Sequence, residues 1–227
     1  MGTSGGTVTN PAAHRWRMAL LALAILTWLA CFAVLRRWGT WTPFAVAGPM
    51  LTALALIFDS TRRALLRPSM GTVGGGLVAG ALMVALTHVA FGAMTWLWPE
   101  ARAATSKLYD LLNVEGFTPA ARIGLVAVIA ACEEIVFRGA LASGSGGDRD
   151  GEGPHRFSSW RGLACVVALA ACYAAATLTL GSSLLVGCAF ACGAAWGGLR
   201  LATRSLVAPI AAHIVWDLGV LVVWPLV

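Results

Sequence analysis

Residues 131–141, ACEEIVFRGAL, place two glutamates and one arginine inside a run that is otherwise apolar. The apolar run extends back to residue 120, which is long enough for one helix to cross a bilayer. Ionised groups are costly in hydrocarbon, so Glu133, Glu134 and Arg138 are expected to have partners or a function within the membrane. The stretch therefore predicts a membrane-spanning helix that carries part of a polar site.

The rest of the chain has the same apolar character. Of its 227 residues, 59% are hydrophobic and 11% are charged, whereas a soluble domain carries roughly a quarter charged residues. We therefore predict an all-α, polytopic membrane helix bundle, in which residues 16–227 form a single transmembrane domain and residues 1–15 form a disordered tail. About seven apolar spans can be placed, at residues 18–35, 42–58, 72–98, 120–141, 160–180, 181–199 and 205–227.

The basic residues predict the orientation of the bundle. With the N-terminus in the cytoplasm, ten of the 16 Lys and Arg residues fall in inside segments and five in outside segments, and Arg138 lies within a span. The chain is thus expected to be an integral protein of the cytoplasmic membrane, with its N-terminus inside. The net charge of +6 is spread over short clusters between spans, which is typical of contact with lipid headgroups and not of nucleic-acid binding.

Helix geometry separates the three charged residues of the opening stretch. Glu134 and Arg138 are four residues apart and share a helix face, so they can form an ion pair. Glu133 is rotated from Glu134 by about 100° and has no basic residue one turn later. The spacing predicts one glutamate held by arginine and one glutamate free to act.

A second polar cluster lies in the last span, in HIVWD at residues 213–217. His213 and Asp217 share a helix face, so the carboxylate can orient the imidazole and leave its other nitrogen for a substrate, a water or a metal. At a rise of about 1.5 Å per residue, Glu133 and His213 both lie about 12 Å from the cytoplasmic end of their spans. The two clusters are therefore expected to face each other, either as a catalytic site or as a polar network that only specifies helix packing.

Two further features of the spans concern packing. Gly76 with Gly80, and Gly193 with Gly197, are each four residues apart and offer close helix contacts. His88 stands alone in the third span and is expected to be a hydrogen-bonded packing residue.

The two polar clusters resemble the motifs of a known family. EEIVFRG at 133–139 is similar to the E-E-x-x-x-R motif of the CPBP family, the CAAX prenyl protease and bacteriocin-processing group also called Abi. RSLVAPIAAHIVWD at 204–217 resembles that family's last motif, H-x-x-x-N/D, and the small-residue helix before it is similar as well. The resemblance covers about residues 120–220.

The resemblance implies a glutamate-type intramembrane endopeptidase. It makes Glu133 the residue that activates water, Glu134 and Arg138 its supporting pair, and His213 with Asp217 the group that stabilises the oxyanion or holds the water. The implied substrates are membrane-anchored or lipidated proteins or peptides. Some bacterial relatives, the myxosortase type, process C-terminal sorting tails, and the Ala-, Gly- and Arg-rich composition suits such a bacterial origin.

One motif of the family departs from its pattern in this chain. The family has a middle motif, F-x-x-x-H, and the best match here is YAAAT, from Tyr173 to Thr177. Thr177 cannot act as a base near neutral pH, so Tyr173 and Thr177 are expected at most to contact substrate. Either Glu133 and His213 suffice, or another group such as His88 takes the place of the histidine, or hydrolysis has been lost.

Two alternatives to this protease follow from the same residues. Without the middle histidine, the chain could be a catalytically impaired relative that acts as an immunity or partner-binding membrane protein. Alternatively, Glu133, His213 and Asp217 could bind zinc in a metal-dependent protease, or serve a small transporter. The predicted glutamate-type protease requires no cofactor.

Overall fold

The computed structural model describes residues 11–112, 118–143 and 160–226, and every regular element in these ranges is helical. The predicted all-α fold is therefore confirmed. The α-helices are α1 (Pro11–Trp38), α2 (Thr42–Phe58), α3 (Ser60–Leu65), α4 (Met70–Leu97), α5 (Glu100–Leu112), α6 (Pro119–Phe137), α7 (Trp160–Ala176), α8 (Ser183–Thr203) and α9 (Val207–Leu218). Short 3₁₀ helices follow α6 at Arg138–Ser143 and α7 at Leu178–Leu180, and a π-helical turn follows α9 at Gly219–Val223.

The predicted spans correspond to helices of this bundle. Among the described residues, four helices are long and apolar enough to cross a membrane, at Arg15–Trp38, Met70–Leu97, Gly162–Leu180 and Ser183–Thr203. Two shorter apolar helices lie at Thr42–Phe58 and Val207–Val223. Helix α6 spans 19 residues but carries Arg122, Glu133 and Glu134, so its composition departs from that of a simple spanning helix.

Two boundaries differ from the sequence expectation. Helix α1 begins at Pro11, so residues 11–15 are helical and do not belong to a disordered tail. Proline is well suited to the first position of a helix, where its missing N–H has no partner to lose. The segment after α4, which belongs to none of the predicted spans, contains the 13-residue helix α5. The rest of the predicted tail and the charged stretch at 144–159 lie outside the described residues.

A tight turn joins α7 to α8, as the adjacency of these two spans requires. Gly181 adopts φ +80°, a left-handed conformation that glycine tolerates best. The Ser182 side chain then accepts a hydrogen bond from the backbone N–H of Leu185 and caps α8. The turn brings α7 and α8 side by side in antiparallel orientation.

Glycines allow the helix that carries His213 to approach its neighbour closely. A Cβ at Gly76 would lie 2.5 Å from the carbonyl oxygen of Ala208, and one at Gly80 would lie 2.7 Å from that of Ala212. Both glycines are buried on α4, so the predicted contact at this pair is confirmed. The close packing of α4 on α9 at Ala212 also fixes the position of the next residue, His213, relative to α4.

Replacing Gly80 by Ala is expected to destabilise the bundle, because the new methyl group would collide with the α9 backbone. We expect a loss of roughly 1–3 kcal/mol, the usual cost of overpacking. Gly75→Ala is the matched control on the same helix, since its Cβ position has no neighbour within 4 Å. Thermal unfolding in detergent measures both variants. Equal midpoints for the two would contradict this packing.

A buried ionic network ties the end of α6 to two other helices. Asp59, the N-cap of α3, accepts hydrogen bonds of 2.8 and 3.0 Å from Arg17 and lies 3.3 Å from Arg62. Burial raises the pKa of Asp59, but its hydrogen bonds with Arg17 and the charges of both arginines outweigh that effect, so its pKa is lowered. Arg62 also donates to the carbonyl oxygen of Ile135 at 3.4 Å, directly after the two glutamates.

Candidate active site

The two predicted polar clusters meet in the interior of the bundle. Glu133, Glu134 and Arg138 come from α6 and the 3₁₀ turn after it, and His213 comes from α9. All four side chains are buried, and Asp217 beside them is half-buried. Glu133 and His213 face each other as expected, since Glu133 Oε2 lies 3.8 Å from His213 Nε2.

Glu134 contacts both Arg138 and His213. Its Oε1 lies 3.3 Å from Arg138 Nη1, which is the ion pair expected from the spacing. The same oxygen lies 2.9 Å from His213 Nδ1. A carboxylate oxygen accepts hydrogen bonds, so the N–H at Nδ1 donates this hydrogen bond to Glu134.

The orientation of His213 therefore differs from the sequence expectation. Asp217 was expected to orient the imidazole from one turn away, but Glu134 on α6 makes the closer contact. Asp217 Oδ2 lies 3.4 Å from the other nitrogen, Nε2. The reason is that α6 and α9 pack directly on each other, so a contact between the helices is shorter than the one within α9.

Glu133 has no arginine partner, but it is not free of contacts. Trp28 on α1 donates its indole N–H to Oε1 at 2.7 Å, and Tyr173 on α7 donates its hydroxyl to Oε2 at 2.5 Å. Both donors are neutral, so they orient the carboxylate without compensating its charge. Each oxygen keeps a second lone pair with which it can accept a hydrogen bond from water.

Aromatic rings and a buried cation enclose the site. Trp196 on α8 stacks on His213 with ring centres 3.5 Å apart and an angle of 21°. The guanidinium of Arg138 lies 4.5 Å from the centre of the Tyr173 ring and 5.2 Å from that of Trp196. These contacts restrict the rotamers of the side chains around Glu133.

A cavity of about 820 Å³ opens beside these residues. Glu133, Tyr173, His213 and Asp217 line it together with mainly apolar side chains from α1, α2, α4, α5, α6, α8 and α9. A peptide segment with an apolar attachment can be accommodated by a space of this size and composition. The polar cluster thus faces an apolar chamber large enough for part of a substrate.

Neither Thr177 nor His88 is placed to act as a base beside Glu133. Thr177 lines the cavity, but its hydroxyl donates to the carbonyl oxygen of Ala174 at 2.8 Å. His88 lies 2.9 Å from the carbonyl oxygen of Val84 and 3.0 Å from that of Trp224, and it stacks on the Trp224 ring. His88 is a packing residue, as expected, and the alternative that it stands opposite Glu133 is wrong.

Trp28 and Trp196 are site residues that sequence reasoning missed. A signal for them was present, because most tryptophans of the chain lie near span ends whereas Trp28, Trp196 and Trp216 lie within spans. An indole N–H inside hydrocarbon needs an acceptor, and two of these three have one, Glu133 for Trp28 and Thr87 for Trp216. The mid-span position thus indicates an interior polar contact for Trp28 and Trp216, whereas Trp196 contributes its ring.

The described ranges contain no group of three or more His, Cys, Asp or Glu side chains placed to hold a metal ion. Glu133, His213 and Asp217, the set considered for zinc, have protein hydrogen-bond partners or each other as neighbours.

Comparison with known families agrees with the motifs. Residues 115–219 match the family model described as type II CAAX prenyl endopeptidase Rce1-like. Neither the search of curated proteins nor that of solved structures gave a match. The matched range contains α6 to α9, and with them both polar clusters and Tyr173, but not Trp28 on α1. Residues 115–219 of this helical membrane protein are thus similar to the Rce1-like type II CAAX prenyl endopeptidase family, which is consistent with the CPBP resemblance.

Proposed function

We propose that the protein is a glutamate-type intramembrane endopeptidase, in which Glu133 activates a water molecule for attack on a peptide bond. The observation that carries the proposal is the position of Glu133. It is a buried carboxylate with two neutral donors and no arginine, and it faces an apolar cavity. A carboxylate placed in this way is a suitable general base.

The reaction can be written with these groups. A water molecule donates a hydrogen bond to Glu133, and its oxygen attacks the carbonyl carbon of the scissile peptide bond. Glu133 takes the proton, and the carbonyl electron pair moves to the oxygen to give a tetrahedral intermediate. Collapse of the intermediate breaks the C–N bond, and Glu133 returns the proton to the departing amine.

His213 and Asp217 complete the site in this proposal. His213 Nε2 lies between Asp217 at 3.4 Å and Glu133 at 3.8 Å, so the two cluster residues flank the carboxylate on its cavity side. We assign them the task of holding the water in line with the substrate carbonyl. Glu134 and Arg138 then orient His213 from behind, through Nδ1.

The substrate is proposed to be a membrane-anchored protein or peptide that carries a prenyl group. The matching family is described by its action on prenylated CAAX ends, and the cavity has apolar walls that suit an isoprenoid chain. We further propose a location in a bacterial cytoplasmic membrane with the N-terminus inside, on the distribution of basic residues. Membrane lipids are the other expected contacts.

Cleavage of a defined probe tests the proposed function. The probe is a quenched fluorescent peptide with a farnesylated cysteine near its C-terminus, added to the full chain in proteoliposomes. We expect one cleavage near the prenylated cysteine, identified by mass spectrometry, and no loss of rate with a chelator. Failure of the wild-type protein to cleave would contradict the proposal. A rate lost with chelator and restored by zinc would favour the metal-dependent alternative instead.

One observation favours a second candidate, a catalytically impaired relative that binds a partner. Thr177, the best match in this chain to the family's middle histidine, donates its hydroxyl to the carbonyl oxygen of Ala174 and not to Glu133. If this candidate were correct, substitution of Glu133 would leave the cellular phenotype unchanged.

A further inference from the structure

We propose that the hydroxyl of Tyr173 is the oxyanion donor of the reaction, an inference that rests on the proposed endopeptidase function. In the best match to the family's middle motif, Tyr173 falls at the position of the phenylalanine, so its hydroxyl would be an additional polar group there. That hydroxyl lies 2.5 Å from Glu133 Oε2 inside the bundle. The departure from the family pattern at Thr177 is therefore accompanied by a new donor one turn earlier on α7.

The contacts of Glu133 single out Tyr173. Of the described residues, Trp28 and Tyr173 donate hydrogen bonds to Glu133, and of these two only Tyr173 also lines the cavity. A substrate carbonyl that enters the cavity can reach the Tyr173 hydroxyl. Trp28 is completely buried behind the carboxylate and can only orient it.

The surroundings of His213 give a second reason. Its Nδ1 donates to Glu134 at 2.9 Å, and its Nε2 lies 3.4 Å from Asp217 and 3.8 Å from Glu133. Glu134 engages Nδ1, and the two carboxylates near Nε2 compete with a substrate carbonyl for any proton on that atom. An oxyanion in this site therefore benefits from a donor besides His213.

Arg138 supports Tyr173 as that donor. Its guanidinium lies over the Tyr173 ring, 4.5 Å from the ring centre, in a region where both side chains are buried. A buried cation at this distance favours negative charge on and near the phenol oxygen, so it strengthens the O–H as a donor. The same cation is held in place by its ion pair with Glu134.

The donor changes its acceptor during the reaction. Before attack, Tyr173 donates to the ionised Glu133. When the water oxygen bonds to the carbonyl carbon, a water proton moves to Glu133, which becomes neutral and a weaker acceptor. The carbonyl oxygen gains the electron pair at the same time, and the Tyr173 hydroxyl turns to it. Tyr173 keeps its proton throughout, and only Glu133 gains and returns one.

Two matched variants test this role in proteoliposomes with the farnesylated quenched peptide. Tyr173→Phe retains the ring contacts with Phe137 and Trp196, and it removes only the hydroxyl. Trp28→Phe removes the other neutral donor to Glu133 and leaves the cavity side unchanged. We expect Tyr173→Phe to lower kcat by roughly 10²–10³-fold with KM nearly unchanged, as for loss of one oxyanion donor. Trp28→Phe should lower kcat at least ten times less.

Each outcome has a defined meaning, with thermal midpoints measured for both variants. Equal losses in kcat would show that Tyr173 only orients Glu133, as Trp28 does, and would overturn the inference. A kcat for Tyr173→Phe within threefold of wild type would also overturn it. Glu133→Gln distinguishes failure of the Tyr173 inference from failure of the proposed endopeptidase function. If that variant is inactive while Tyr173→Phe is not, the inference fails and the endopeptidase stands, whereas an active Glu133→Gln contradicts the proposed function itself.

Discussion

Glu133→Gln is expected to lower the rate of peptide cleavage by roughly 10²–10⁴-fold, the range that a general base contributes. Glutamine has nearly the same size, and its amide oxygen can still accept the hydrogen bond from Trp28. Its amide nitrogen can donate to the Tyr173 oxygen where the carboxylate accepted from it. The bundle should therefore fold normally while the water loses its base. Initial rates with the farnesylated peptide measure the effect.

Substitution of the neighbouring Glu134 is expected to affect stability, unlike that of Glu133. Glu134→Gln removes the charge that pairs with the buried Arg138 and with His213. We expect this variant to lose roughly 3–5 kcal/mol of stability, because an uncompensated buried charge remains. Glu133→Gln should keep its thermal midpoint close to wild type. Full processing by a well-folded Glu133→Gln protein would contradict the role of Glu133 as the base.

His213→Asn is expected to lower kcat by roughly 10²-fold, because the residue that holds the attacking water in position is lost. The asparagine amide can still donate to Glu134, as Nδ1 does, but it has no group in the place of Nε2. The contact between α6 and α9 is thus retained, whereas the group between Glu133 and Asp217 is removed. Steady-state kinetics with the same peptide measure the change.

A stability control accompanies this variant. Asparagine is smaller than histidine and leaves space under Trp196, which stacks on the imidazole. A small drop in the thermal midpoint is therefore expected. A kcat within threefold of wild type would mean that His213 serves only to pack α9 on α6 and α8.

The fold was largely predictable because the membrane limits the choices of the chain. A chain in hydrocarbon has to satisfy its backbone groups internally, so long apolar runs such as 72–98 can only be helices. Helix α5 was not predicted, because its 13 residues have mixed charge and therefore lack the apolar run that indicates a spanning helix. The start of α1 at Pro11 was also missed, since composition alone gives no boundary.

The site was predictable only where its contacts lie within one helix. The four-residue spacing of Glu134 and Arg138 fixes their proximity, and the structure shows the pair. The contact of Glu134 with His213 and that of Trp28 with Glu133 join residues 79 and 105 positions apart. Such contacts depend on the rotation of packed helices, which a single sequence does not determine. The position of Trp28 within an apolar span is the only feature of the sequence that indicates its contact with a buried acceptor.

The central claim is that Glu133 acts as a base on water and does not attack the substrate itself. A single turnover in H₂¹⁸O, with enzyme in excess over the farnesylated peptide, tests it most directly. Mass spectrometry then measures the label in the new carboxylate of the product and in the peptide that contains Glu133. General-base catalysis predicts one ¹⁸O atom in the product and none in Glu133. Label in the Glu133 side chain, with unlabelled product, would show a covalent intermediate and contradict the claim.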